Sequence, residues 1–223
     1  MNQVIGEVLP LAVTVAISPL PIIAVILMLL APRAGGASAG FLVGWVAGIV
    51  VVAVVFVVLA NVLGLSGGGG GGLATGIVKL VLGALMLLFG VRQWLSRPKD
   101  GAEPKPPKWM GAIDTMTAGK SAGLAFLLAG VNPKNLAVLL AAGVAVGAAD
   151  LSAGQTVVVL VIFTVLAACT VAAPVLLYAV ARERARVVLT RVREWLVAHN
   201  AAVMTVVLVL IGVVLIGKGI TAL

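Results

Sequence analysis

Charge is scarce in this chain of 223 residues. Asp, Glu, Lys and Arg together make up 10% of it, against a hydrophobic share of 62% and a mean hydropathy of +1.26. Soluble domains carry roughly 25% charged residues, and no soluble core of this size hides so much apolar sequence, so a water-soluble fold is excluded. Cysteine is nearly absent too. Cys169 is the only one, which rules out an intramolecular disulfide and a cysteine metal cluster; its apolar surroundings predict a small buried hydrophobe. Histidine occurs once, at His199, with no Ser or Asp constellation beside it. The chain has no Walker loop, no HExxH and no dinucleotide fingerprint. No catalytic set, metal or cofactor is therefore expected, and the chain does not read as an enzyme. The alternating pattern of outer-membrane barrels is missing. The start, Met1 to Glu7, lacks a basic region, so a cleaved signal peptide is not expected.

What is present is a series of apolar runs of about 20 residues or more, the length that crosses a hydrocarbon layer about 30 Å thick. They predict an all-α integral membrane protein with six transmembrane helices. The spans run over about Gly6–Ala31, Ser38–Gly64, Leu73–Leu95, Ser121–Ala149, Ser152–Ala181 and Ala201–Leu223. A run of six glycines, Gly67 to Gly72, joins the second and third. The segment 96–120, with Pro98, Pro104, Pro106 and Pro107, reads as an extended basic linker between a first three-helix unit (1–95) and a second (121–223).

The net charge of +8 is not a nucleic-acid footprint, because the basic residues flank apolar runs instead of forming a patch. Twelve of them fall in the loops after spans one, three and five: Arg33; Arg92, Arg97, Lys99, Lys105, Lys108 and Lys120; Arg182, Arg184, Arg186, Arg191 and Arg193. The loops after spans two and four hold none. Positive loops stay cytoplasmic, so loops 96–120 and 182–199 are expected inside the plasma membrane and both termini outside. In the stretch Arg182–His199, Val188, Val192, Trp195 and Leu196 recur at helical spacing among five arginines. It reads as an interfacial helix on anionic lipid or as a cytoplasmic extension of spans five and six.

Two polar, proline-bearing motifs interrupt the apolar runs: Ser18-Pro19-Leu20-Pro21 in span one and Asn132-Pro133-Lys134-Asn135 in span four. Each starts about 13 residues into its span, roughly 20 Å deep at 1.5 Å per residue, which is near the midplane. Proline frees carbonyls of the turn before it, and in lipid these need partners or a cavity. Three spans per unit make the two units opposite in direction, so the motifs predict inverted three-helix repeats with proline-broken first and fourth helices, the architecture of many secondary transporters. Gly83 and Gly90 in span three echo Gly212 and Gly219 in span six at the same spacing. Lys134, Asn132, Asn135 and Ser18 are the candidate substrate-binding residues, with Pro19, Pro21 and Pro133 as hinges. A buried lysine suits a carboxylate or phosphate group; the alternative is that Lys134 caps the freed carbonyls of span one.

Three further features complete the reading. Gly40, Gly44 and Gly48 form a ladder that lets backbones approach closely, either within the chain or across a homodimer. Glu7 and Lys218 lie at similar depth and are candidates for an ion pair. Lys79 is near the outer end of span three and is expected to snorkel outward.

Six spans, Ser-Pro-x-Pro in the first, the Gly-xxx-Gly-xxx-Gly ladder in the second and Asn-Pro-Lys in the fourth resemble the LysE superfamily of exporters over essentially the whole chain. The proline-rich linker and the Ala/Gly/Val-rich spans are most similar to the branch of peptidoglycolipid- and sulfolipid-addressing proteins. Amino-acid exporters of the superfamily usually have Pro-Gly-Pro where Leu20 stands here between two prolines. The resemblance implies an exporter of a polar lipid or envelope glycolipid precursor, with membrane lipid as its partner and a midplane site at Asn132-Pro133-Lys134. Two alternatives stay open: export of an amino acid or other small solute driven by protons or membrane potential, and a non-transporting scaffold serving a larger lipid exporter.

Overall fold

A computed structural model of the chain describes residues 1–32, 34–63, 73–97, 113 and 115–223. The glycine run, Arg33 and the proline-rich part of the linker lie outside the described residues. Those described form eight helices and no strand: α1 (Asn2–Ala16), α2 (Pro19–Leu30), α3 (Ala34–Val62), α4 (Leu73–Leu95), α5 (Ala118–Gly130), α6 (Pro133–Gly147), α7 (Ala153–Val180) and α8 (Arg182–Ile220). Valine-rich stretches such as Val50–Val58 favour strands in water, since branching at Cβ restricts the side chain in a helix. In lipid the backbone must bond within its own segment, and that requirement selects the helix.

Four helices, α3, α4, α7 and α8, are long and apolar enough to cross a membrane; the number rises to six if each of two bent pairs, α1 with α2 and α5 with α6, is one span. The order is the same twice: a bent pair, then two long helices. The outward faces are apolar, with Val54, Val55 and Val58 on α3, Val157, Val161 and Val165 on α7, and Leu210 and Val213 on α8 all exposed. Such continuous apolar surface is foreign to soluble proteins, and the chain is a multi-pass membrane protein. Cys169 belongs to that exposed surface; the expectation of burial was wrong, because an apolar neighbourhood in a membrane helix faces lipid as readily as core.

The bent pairs break at the two motifs, by 50° between α1 and α2 and by 66° between α5 and α6. The last helix differs from expectation. Of the two readings open to Arg182–His199, the structure gives the extension, and of span six alone: the stretch is the first half of the 39-residue α8, with no break where a loop was expected. At 1.5 Å per residue that helix is roughly 58 Å long, nearly twice the hydrocarbon thickness, so its arginine-rich half extends beyond the apolar layer. Trp195 stacks on His199 at 4.8 Å, and Arg97 lies over Trp94 at 3.7 Å. Tryptophans with a polar partner mark a membrane interface.

Glycines set the packing. A Cβ on Gly83 would meet the Gly212 carbonyl oxygen at 2.9 Å, and one on Gly212 the Gly83 carbonyl oxygen at 3.0 Å, so α4 and α8 touch backbone to backbone. Gly76 lies against Gly219, and Gly90 against Leu208 and Val209, which makes the two helices antiparallel. The ladder on α3 faces α5: Gly40 against Ala118, Gly44 against Ala122, Gly48 against Phe126 and Ala129. Of the two roles open to it, this ladder packs within the chain. α3 rests mainly on α5 and α6, while α7 rests mainly on α1. α3 and α7 therefore each cover the bent pair of the other unit. The starts of α3, α5 and α8 meet at one end of the bundle. The start of α1 and the end of α8 meet at the other.

Candidate functional site

The site is made by the two breaks meeting. At the first, Pro19 and Pro21 occupy positions one and three of α2. An N-cap serine normally accepts from the second or third backbone N–H, but proline has none at the third. Ser18 makes no capping bond to α2 and turns back instead, donating to the Val15 carbonyl at 2.7 Å. At the second break Asn132 does cap its helix: its Oδ1 accepts from the Lys134 backbone N–H at 3.1 Å, with Pro133 at the first position of α6.

Lys134 and Asn135 then project from the first turn of α6 into the first break. Lys134 is 3% exposed. Its Nζ donates to the Thr14 carbonyl at 2.7 Å, to Ser18 Oγ at 2.6 Å and to the Ile17 carbonyl at 3.2 Å. An ammonium has three donors, and all three are used. Asn135, fully buried, donates from Nδ2 to the Leu128 carbonyl at 3.2 Å and places Oδ1 3.3 Å from Ser18 Oγ. Thr170 of α7 adds a hydrogen bond to the Ala16 carbonyl at 2.6 Å. The freed carbonyls at the end of α1 are thus served by three other groups: Ser18, Lys134 and Thr170.

The electrostatics follow from the helix ends. The C-terminus of α1 carries about half a negative charge, and a cation there is favourable. Lys134 sits at the positive N-terminal end of its own helix, so its charge is offset by α1 and not by α6. Among the described residues the ion pairs are Glu7–Lys79 and Arg193–Glu194; Lys134 has no carboxylate partner. A buried cation held only by neutral acceptors is suited to exchange those acceptors for an anion.

Of the residues expected to form the site, the structure brings Ser18, Lys134 and Asn135 into direct contact. Asn132 is one step removed, acting on the backbone of Lys134, and Pro133 lies exposed beside it. Thr170 and the Thr14 carbonyl were missed. The signal for Thr170 was Pro174 four residues on, which marks the turn of α7 whose hydrogen bonding is perturbed. Thr170→Val is expected to lower stability by about 1 kcal/mol, the net worth of one hydrogen bond, measured by thermal unfolding in detergent; no change would mean that the Ser18 backbone N–H, which also donates to the Ala16 carbonyl at 2.9 Å, satisfies it alone.

Toward the end with the starts of α3, α5 and α8 lies an open cavity of about 330 Å³, lined by Pro32, the first turn of α3, Met116 to Ala118 and Arg182. Arg182 donates from Nε to the Tyr178 hydroxyl at 2.8 Å. The other end holds the second ionic cluster, and it corrects two expectations. Glu7 pairs with Lys79 at 2.7 Å, not with Lys218, whose Nζ reaches only the Glu7 backbone carbonyl at 3.4 Å. Lys79 does not snorkel outward: its side chain is 7% exposed.

The sequence profile of one family, described as Sap, sulfolipid-1-addressing protein, matches residues 8–221. The chain belongs to that family. Neither a curated protein nor a solved structure matches it. The part matched to the Sap family takes in both breaks, the Gly40–Gly48 ladder and all three buried or half-buried lysines; Glu7 stands one residue before it. The family's description and the apolar helices together tie this Sap-family chain to a membrane and to sulfolipid addressing.

Proposed function

We propose that this chain is an exporter of the LysE type that carries an anionic polar lipid, of the sulfolipid or envelope-glycolipid class, outward across the plasma membrane, with both termini outside. The observation that carries the reading is Lys134: a buried ammonium, without a carboxylate, whose three donors hold the loose end of a broken helix. Such a group closes a gate in one state and is released to meet a sulfate or phosphate head group in the other. Two helices broken at matching places are the membrane-protein sign of a midplane site.

The units are read as inverted repeats. Support comes from the twice-repeated helix order, the reciprocal Gly83–Gly212 contact and the exchange by which α3 and α7 each cover the other unit's bent pair. The cavity at Arg182 is read as the inner vestibule, where a head group first meets a cation. The acyl chains stay in lipid, against the exposed apolar faces of α3 and α7. Release of Lys134 from α1 lets α1 swing about the Ser18-Pro19 junction, and the head group takes the place of the Thr14 and Ile17 carbonyls.

The test is lipid profiling of cells lacking the chain, complemented with the wild type or with Lys134→Ala. Cells lacking it should accumulate an anionic lipid inside and lose it from the surface. The wild type should restore the surface lipid, and Lys134→Ala, present in the membrane at the same level, should not. Full complementation by Lys134→Ala sinks the reading. Loss of complementation only on deleting residues 98–108 would favour a scaffold for a larger exporter instead.

A further inference from the structure

The gate at Lys134 leaves a second cationic place unused. At the end of the bundle that holds the start of α1 and the end of α8, Lys79 of α4 and Lys218 of α8 converge on one residue of α1, Glu7. The carboxylate takes Lys79 at 2.7 Å. Lys218 is only half-buried, and its one recorded bond is the long contact of 3.4 Å to the Glu7 carbonyl. Both Glu7 and Lys79 act on it electrostatically. Two ammonium groups and one carboxylate leave an excess positive charge, and among the described residues no second carboxylate pairs there. Charges at such depth are normally paired. Lys218 retains donors for a further acceptor, and Glu7, with 20% of its side chain exposed, can leave Lys79 without crossing the core.

We propose that Lys79 and Lys218 form a second anion site that takes the sulfate or phosphate head group of a membrane lipid, with Glu7 as its internal competitor. The site deepens the export reading and rests on it for its role, as the place where the head group is held before release; binding itself does not depend on Lys134. An arriving anion displaces the Glu7 carboxylate from Lys79 and gains Lys218 as well. That frees the start of α1 while Lys134 governs its end, so the two cationic places act on opposite ends of one short helix.

Removal of the competitor and removal of the cation have opposite signs, which makes the proposal testable on the purified full-length protein in detergent. The probe is a sulfated galactosylceramide, with its uncharged parent and with inorganic sulfate as the two comparison arms, and binding is followed by native mass spectrometry and by the ligand-induced rise in melting temperature. The sulfated lipid should bind and the uncharged parent should not. Lys218→Met should weaken binding about tenfold, the equivalent of one charge-assisted hydrogen bond. Glu7→Gln should lower the melting temperature without lipid and strengthen binding several-fold, and Lys134→Met should still bind the lipid at this end. Equal binding by wild type, Lys218→Met and Glu7→Gln overturns the proposal, whatever happens to export. Inorganic sulfate matching the lipid in affinity overturns the lipid assignment. Lipid binding abolished by Lys134→Met alone would place the head group at the midplane and remove this site, while leaving the export reading intact.

Discussion

Lys134→Met is expected to lose export and to lower the stability of the purified protein by about 2–4 kcal/mol. Methionine fills a similar volume but donates nothing. The Thr14 and Ile17 carbonyls and the Ser18 hydroxyl then lose a donor in a site where Lys134 was 3% exposed. A buried acceptor left unmade costs roughly 1–3 kcal/mol, and removal of a desolvated charge returns part of that sum, which sets the range. Thermal unfolding in detergent measures it. Lys134→Arg keeps the charge, but a planar fork does not fit three acceptors gathered around one point, so its stability should fall between the two. A Lys134→Met protein as stable as the wild type would mean that the break holds its shape without the ammonium.

Gly44→Ala is expected to have the largest effect of any single methyl group in the molecule. A Cβ there would overlap the backbone of Ala122 on α5, with the Ala122 Cα at 2.6 Å. Overpacking against side chains costs typically 1–3 kcal/mol; here the obstacle is backbone, so α3 and α5 must separate along their whole crossing. A loss of about 3 kcal/mol or more is predicted, and Gly44→Leu should leave no folded protein. Gly123→Ala on α5 is the control, since nothing lies within 4 Å of the added carbon, and helix propensity alone favours it by up to ~1 kcal/mol. A Gly44→Ala protein that stays folded but loses a dimer would transfer the ladder to a contact between chains.

Much of this arrangement was legible in the sequence, and what was not has specific causes. Proline and asparagine announce a break locally, so both bends stood out. The direction of each apolar run gave α4 antiparallel to α8. Partners across space are another matter. The acceptors that hold Lys134 are main-chain carbonyls, which every residue has and no sequence pattern distinguishes. Glu7 had two lysines at comparable depth, and depth says nothing about rotation around a helix axis; that rotation gives the carboxylate to Lys79 and only the carbonyl to Lys218. The glycine ladder states how near a neighbour comes and leaves its identity open. The continuity of α8 was readable in principle, for no proline or glycine interrupts it between Arg182 and Ile211; the arginines drew attention to a boundary of polarity that is not a boundary of structure. Cys169 illustrates the same point for burial, since lipid and core are equally apolar.

The central claim is that the ammonium of Lys134 both closes the junction of the two broken helices and receives the anionic head group. Its most direct test is transport in vesicles containing the purified chain, loaded in one leaflet with a fluorescent sulfated glycolipid whose transfer is followed by quenching from the other side. The account predicts transfer by the wild type, none of the uncharged parent lipid, and none of either by Lys134→Met at equal protein incorporation. Transfer of the sulfated lipid by Lys134→Met at the wild-type rate would contradict it.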